Sequence, residues 1–235
     1  MKQFNIRIAG LDVCIEHEHS HVARLCEPYA VAECGRADIF AVASAEEIIA
    51  ESQNYNGKHA RGYCESICIY RSIAEQLPQF DGFVFHGAAV EIDGRGVIFT
   101  APSGTGKTTH ISLLFDSYPD EVRIINGDKP IIRKTDGEWR VCSTPWAGKE
   151  GMQRNTSAPL DSIVILGRGE ENRIERVQAA ECFDTLIRQV YYPRESEALL
   201  RTLSLLDTLP ESVRFYKLSC NMSPDAARTS FEALK

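Results

Sequence analysis

Residues 101–109 read Ala-Pro-Ser-Gly-Thr-Gly-Lys-Thr-Thr, and each residue type has a use around a polyphosphate. Glycines at 104 and 106 let the backbone turn so that successive N–H groups converge on an anion. Lys107 brings a positive charge and Thr108 a hydroxyl suited to Mg²⁺, with Ser103, Thr105 and Thr109 completing the cradle. The chemistry expected is binding of a nucleoside triphosphate, ATP with Mg²⁺. One position departs from the Walker A form G-x-x-x-x-G-K-[ST]: its first residue is Ala101, which is small enough to turn.

Two further residues are candidates for the same chemistry. Residues 122–125 form an apolar strand that ends at Asn126-Gly127-Asp128, where Asp128 is placed to offer the magnesium a second oxygen ligand. Asn-Gly-Asp is also a common turn composition, so Asp128 has a purely structural alternative. His86 opens an apolar run, where a histidine serves either as a hydrogen-bonded core residue or as an acid–base group with a tunable pKa.

A phosphate loop must join a strand to a helix N-terminus, where the helix dipole and free N–H groups favour an anion. Residues 96–100 before the loop are β-type, and Ile111, Leu114 and Phe115 after it recur at helical spacing. Residues 83–92 are strand-rich, and the turn Asp93-Gly94-Arg95-Gly96 folds them back as a hairpin into the loop. The strand beside the loop strand is therefore expected to be antiparallel. A second hairpin is expected through Thr135-Asp136-Gly137. Residues 144–151, rich in Gly, Pro and Trp with Lys149, form either a tight connector or a substrate contact.

Toward the C-terminus, strands are expected at 160–166, 173–177 and 213–218, and helices at 179–190 and 195–209. A last helix begins at Ser223-Pro224. In the first eighty residues a hairpin turns at Gly10, a strand is expected at 39–42, helices at 45–51 and 65–77, and a surface loop at 54–62. Alternation places His17, His19 and His21 on one face of a strand, as an exposed polar edge in preference to a metal site. The division expected is a small α+β region over 1–80 and a nucleotide-binding domain over 81–235.

Composition bounds the function. The chain has 235 residues, 43% hydrophobic and 25% charged, as expected for a soluble globular protein. A net charge of −7 argues against a nucleic-acid binder, whose affinity comes from Lys and Arg neutralising phosphates. No apolar run reaches membrane-spanning length and the N-terminus lacks a signal-peptide stretch, so no membrane partner and a cytoplasmic address are expected. The eight cysteines, at 14, 26, 34, 64, 68, 142, 182 and 220, are expected as reduced thiols.

Residues 86–128 resemble the catalytic core of the HPr kinase/phosphorylase family, which shares a fold with phosphoenolpyruvate carboxykinase. The resemblance rests on His86-Gly87, the apolar hairpin, and Ser103-Gly104-Thr105-Gly106-Lys107 in the same order and spacing. It implies an α/β P-loop core with a mixed, largely antiparallel sheet, and ATP- and Mg²⁺-dependent phosphoryl transfer. The acceptor implied is a hydroxyl on a peptide, protein or small molecule, and a homo-oligomer is plausible. His86, Lys107 and Asp128 would be catalytic, with Thr108 and Asp128 on the metal. The family pattern has two adjacent aspartates where this sequence has Gly127-Asp128. That leaves a second reading, a nucleotide-binding pseudokinase acting as sensor or scaffold. A true carboxykinase is disfavoured by the short chain.

Overall fold

The computed structural model describes residues 1–32, 35–57 and 59–235, so Cys34 and Lys58 of the expected surface loop lie outside the described residues. The chain begins with β1 (Lys2–Ile8), β2 (Leu11–His17), α1 (Ser20–Cys26), β3 (Ala30–Val31), β4 (Ile39–Ala41), α2 (Ala45–Asn54) and α3 (Arg61–Gln76). It continues through β5 (Gly82–Val84), β6 (Ala88–Ile92), β7 (Arg95–Thr100), α4 (Lys107–Ser117), β8 (Val122–Asn126), β9 (Ile131–Thr135) and β10 (Glu138–Cys142). It ends with β11 (Ser157–Arg168), β12 (Arg173–Val177), α5 (Phe183–Ile187), α6 (Ser196–Thr208), β13 (Arg214–Cys220) and α7 (Pro224–Leu234).

Local chemistry accounts for much of this order. The hairpins β1–β2, β6–β7 and β9–β10 turn at Ala9-Gly10, Asp93-Gly94 and Asp136-Gly137, all with both residues at positive φ, the geometry whose twist matches that of paired strands. Helix α2 starts at a reciprocal cap, with Ser44 Oγ accepting from Glu47 N and Glu47 accepting from Ser44 N.

Among the described residues the strands form two sheets. The smaller runs β3-β1-β2-β4; the larger runs β5-β9-β10-β11-β7-β6-β8, with β13 on the other side of β11 and β12 beside β13. Its β11–β7 and β11–β13 pairs are parallel and its other pairs antiparallel. The loop strand β7 thus has an antiparallel neighbour, β6, on one side and a parallel one, β11, on the other. The fold is α/β with mixed sheets.

Alternation along β7 divides the core. Val97 and Phe99 face α4 and α7, packing with Ile111, Leu114 and Phe231, whereas Ile98 faces Trp139, Ile163 and Leu186. A third cluster joins β1, β2, α1 and α3 to Val84, Ile131 and Trp146 of the larger sheet and its loops. Tyr29 Oη to Ser143 Oγ (2.6 Å) and Arg133 to the Ala9 carbonyl (2.7 Å) fasten these parts together. Among the described residues no helix is long and apolar enough to cross a membrane.

Several elements differ from the sequence reading. The run 83–92 is two strands, broken at His86-Gly87, because β5 pairs with β9 while β6 pairs with β7 and β8, and at the switch a Cβ on Gly87 would lie 2.6 Å from Ile98 Cγ2 and 3.1 Å from the Phe99 carbonyl. The chain crosses β7 too closely there for any side chain. The helix expected over 179–190 is a short 3₁₀ turn and the five-residue α5, since Val190 pairs with Phe85 and Tyr191 N donates to Val84 O. Strand pairing at the β5 edge overrides helical spacing. The longest helix, α3, lies in the first third of the chain.

The three histidines do not share a strand face. His17 closes β2 with its buried ring edge-on to Phe4 (5.1 Å), and His19 precedes α1. Buried Glu65 of α3 accepts from Glu18 N (2.6 Å) and His19 N (2.9 Å) and meets the His19 ring (3.1 Å). The run is a joint between α1 and α3 in place of an exposed edge. Among the described residues no group of three or more His, Cys, Asp or Glu side chains is placed to hold a metal. Cys26, Cys64, Cys68, Cys142, Cys182 and Cys220 carry free, buried thiols.

His110, one turn into α4, is buried between Phe99 (ring centroids 4.8 Å) and Ser230 of α7 (Nε2 to Oγ 3.0 Å). Burial pushes its pKa down from 6.5 to about 4. The unfolded chain therefore takes up a proton that the folded one refuses, so this site's contribution to stability holds above pH 6.5 and is lost as pH falls toward 4. Urea unfolding of wild type and His110→Gln between pH 7 and 4 should show the wild type losing up to about 3 kcal/mol more over that range. Parallel pH curves would show that the histidine is charged in the fold.

Candidate active site

The loop after β7 takes the conformation its glycines allow. Gly104 (φ +78°) and Gly106 (φ +118°) are left-handed, and a Cβ on either would meet nothing within 4 Å. The loop therefore opens onto space on the side where a ligand would approach. Gly106 caps α4, and no side chain bonds the first turn of that helix, leaving its N–H groups for an anion. Ser103, Thr105, Thr108 and Thr109 lie along the same turn, with the Thr105 hydroxyl donating to Pro102 O (2.8 Å).

Lys107 is buried and donates to the Ala101 carbonyl (2.9 Å). Burial pushes its pKa down, against an upward pull from Asp128. A cation held out of water with one carbonyl as hydrogen-bond partner is incompletely compensated, and a phosphate oxygen fits that deficit. From the other side Arg168, at the end of β11, donates to Gly104 O (2.6 Å) and Thr105 O (3.3 Å), fixing those carbonyls away from the opening.

Asp128 stands at the end of β8, and Asn126 makes the turn that puts it there. The buried Asn126 Oδ1 accepts from Asp128 N (2.9 Å) and Lys129 N (2.8 Å), and its amide nitrogen donates to Thr144 O (2.9 Å). Because Asn126 serves the turn, the Asp128 carboxylate is left to face Lys129 and His86 Nε2 (3.3 Å). Burial raises its pKa, but hydrogen bonds from His86 and Lys129 and the charge of Lys129 outweigh it and hold it at about 2. Asp128 is therefore a carboxylate at any physiological pH.

His86 is pinned at four points. Its N–H donates to Gln189 O (2.7 Å), its carbonyl accepts from Thr100 Oγ1 (2.8 Å), Nδ1 faces Gln189 Oε1 (2.9 Å), and Nε2 faces Asp128. A ring donating from both nitrogens satisfies both oxygens; a neutral ring does so once the Gln189 amide is turned round.

These groups share one cleft of about 710 Å³. Ser103, Gly104 and residues 106–109 form one side, and His86 with residues 127–129 line it as well. Residues 145–150 close another side, together with His21 and Leu25 of α1 and Tyr63, Ser66 and Ile67 of α3. The sequence-derived candidates His86, Lys107, Thr108 and Asp128 thus meet, while Thr105 lies in the loop without lining the cleft. Lys129, Gln189, Arg168, Leu25 and the α3 residues were not singled out, and His21 was read only as part of a polar strand edge. Lys129 had a signal in its place beside Asp128; the others come from distant segments.

Residues 64–224 match the family described as SynChlorMet cassette protein ScmC. The chain belongs to the ScmC family. The match begins inside α3 and takes in every residue of the cleft except His21, Leu25 and Tyr63. No curated protein matches the ScmC chain. Among solved structures, the HPr(Ser) kinase/phosphatase from Coxiella burnetii is 14% identical, covering 54% of this chain and 90% of its own at a TM-score of 0.32. At that score the superposition decides neither fold nor activity.

Proposed function

We propose that this ScmC protein binds ATP with Mg²⁺ at residues 103–109 and passes the terminal phosphoryl group to a hydroxyl acceptor. The observation that supports the reading is the convergence of an under-compensated Lys107, a pre-ionised Asp128 and His86 on one cleft beside a helix N-terminus. Bound, the nucleotide supplies the phosphoryl group and the metal neutralises its charge. The loop N–H groups and the Lys107 ammonium bind phosphate oxygens, while Thr108 and Asp128 offer the metal its oxygen ligands. Asp128, at a pKa of about 2, is a weak base. A weak base suffices, because a loose phosphoryl-transfer transition state asks only that the acceptor hydroxyl be oriented and its proton taken late. His86 Nε2 donates to the carboxylate and positions it, itself held by Gln189 on the other ring nitrogen.

Asp128→Asn tests the metal role. It should erase most of the gain in ATP affinity that Mg²⁺ provides, leave metal-free binding nearly as it was, and lower turnover by about a hundredfold or more. Calorimetric titrations with and without Mg²⁺ read the first two effects. Equal Mg²⁺ dependence in both proteins would remove Asp128 from the site.

One observation favours the pseudokinase reading. Gly127, where the HPr kinase pattern has a second aspartate, is covered by backbone, with the Ala147 carbonyl 2.9 Å from where a Cβ would sit. Transfer of labelled γ-phosphate to peptides, free serine and small hydroxy compounds separates the two. ATP binding without turnover on any acceptor would leave a sensor or scaffold.

A further inference from the structure

The cleft extends well past its phosphate end, and its far wall has a different chemistry. On α1, His21 and Leu25 are four residues apart, and on α3, Tyr63 and Ile67 are too, so each helix presents one pair to the cleft. All four are half-buried. The two helices meet at Gly62, where a Cβ would lie 2.9 Å from His21 Cβ and 3.0 Å from His19 Cβ. Buried Glu65 locks the same joint through the backbone of Glu18 and His19. A fully buried carboxylate and a close-contact glycine thus hold an aliphatic and aromatic surface in one place.

The wall lies on the Asp128 side of the loop. Lys107 feels the Asp128 charge, and the Asp128 side chain lies against Gly148, where a Cβ would sit 3.2 Å from Asp128 Cβ. Two residues earlier, Trp146 donates from Nε1 to Ser66 O (3.0 Å) and packs on Tyr70 (ring centroids 5.3 Å), both on α3. The sequence from the loop outward is therefore Lys107, Asp128, the 146–148 segment, then α3. Lysine and the metal carboxylate address the terminal phosphate. Attacking and leaving oxygens are roughly in line in phosphoryl transfer, so an acceptor would stand across the terminal phosphate from the nucleoside, and the space beyond Lys107 and Asp128 is on its side.

We propose that α1 and α3 form the acceptor-side specificity wall of the cleft, taking an apolar or aromatic group carried by the hydroxyl-bearing acceptor. This rests on the phosphotransfer reading above. Leu25, Ile67 and Tyr63 give such a group surface to bury, and His21, whose ring lies 6.3 Å from that of Tyr63, borders it. A bare polar acceptor such as free serine would leave that surface wet and gain nothing from it.

The test uses the full chain with ATP, Mg²⁺ and three probes: N-acetyl-Ser-Gly-amide, N-acetyl-Ser-Leu-amide and N-acetyl-Ser-Phe-amide. ATP affinity is measured first. The Leu and Phe probes should be preferred over the Gly probe by about tenfold or more in kcat/KM. Where no transfer occurs, the same preference should appear in binding of the probes to the ATP-loaded protein, read by ligand-observed NMR. Tyr63→Ala should bring the preference toward unity with ATP affinity changed less than about twofold, and Leu25→Ala repeats the test from the other helix should Tyr63→Ala not fold. Equal treatment of the three probes by wild type that binds ATP would overturn the wall while leaving the nucleotide site intact. Loss of ATP affinity in both variants would give the wall to the nucleoside. Failure of wild type to bind ATP would overturn the phosphotransfer reading and the wall with it.

Discussion

Lys107→Ala is expected to abolish measurable ATP binding without unfolding the protein. In the free protein the ammonium is buried against the Ala101 carbonyl and its charge is disfavoured there. Removing it therefore costs the apo fold little: one hydrogen bond, worth about 1 kcal/mol, is lost, and the desolvation of a cation is relieved. The same deletion strips the fixed charge nearest the phosphates, a loss of about 2–5 kcal/mol for a desolvated charge pair. Thermal melts separate the two effects. ATP at a hundred times its Kd should stabilise the wild type by about 2.7 kcal/mol, or roughly 5–10 °C for a chain of this size. Lys107→Ala should melt within a few degrees of apo wild type and show no nucleotide shift. A retained shift would mean that residues 101–109 are not the phosphate site.

The second large effect is expected at Gly127, and its sign is opposite to what the sequence pattern invites. Restoring the aspartate pair of the HPr kinase pattern by Gly127→Asp looks like a repair. The space is taken, however: a Cβ there would meet the Ala147 carbonyl at 2.9 Å and Met152 Cβ and O at 3.3 Å. That segment cannot simply step back, because Arg154 N donates to Ile125 O and Gln153 pairs with Asn126. The variant adds a steric clash and a buried carboxylate facing carbonyl oxygens, together about 3 kcal/mol or more. Gly127→Asp should therefore melt well below wild type and gain no transferase activity. Gly127→Ala isolates the steric part and should fall between. Wild-type stability with increased turnover in Gly127→Asp would show that the 147–152 segment moves aside, and would make this protein a kinase lacking one carboxylate.

What could be read from the sequence is what neighbouring residues dictate. The loop at 101–109 is contiguous, so the glycines at 104 and 106, Lys107 and the strand and helix on either side announce one another. The hairpin turns at Gly10, Gly94 and Gly137 are equally local, because two successive left-handed residues nearly specify the connection. Asp128 was legible as a strand-end carboxylate for the same reason. The histidine run was misread because alternation is informative only while the strand lasts, and the strand stops at His17 once Glu65, far along the chain, captures the backbone of Glu18 and His19.

The tertiary structure decided the rest. His86 acquires its two ring partners from Gln189, 103 residues away, and from Asp128, and no local pattern marks either contact. Gln189 sits there because Val190 pairs with Phe85, which also ended the helix that periodicity foretold. Arg168 reaches the loop carbonyls because β11 lies parallel to β7, a pairing set by the packing of both sheet faces and by neither strand alone. The sequence by itself determined that a glycine-rich loop with a lysine joins a strand to a helix N-terminus and has a carboxylate near it, since those depend on short-range backbone geometry. The closure of Gly127, the pinning of His86 and the α1–α3 wall were decided only by tertiary structure, because each is a contact between segments whose separation along the chain carries no signal.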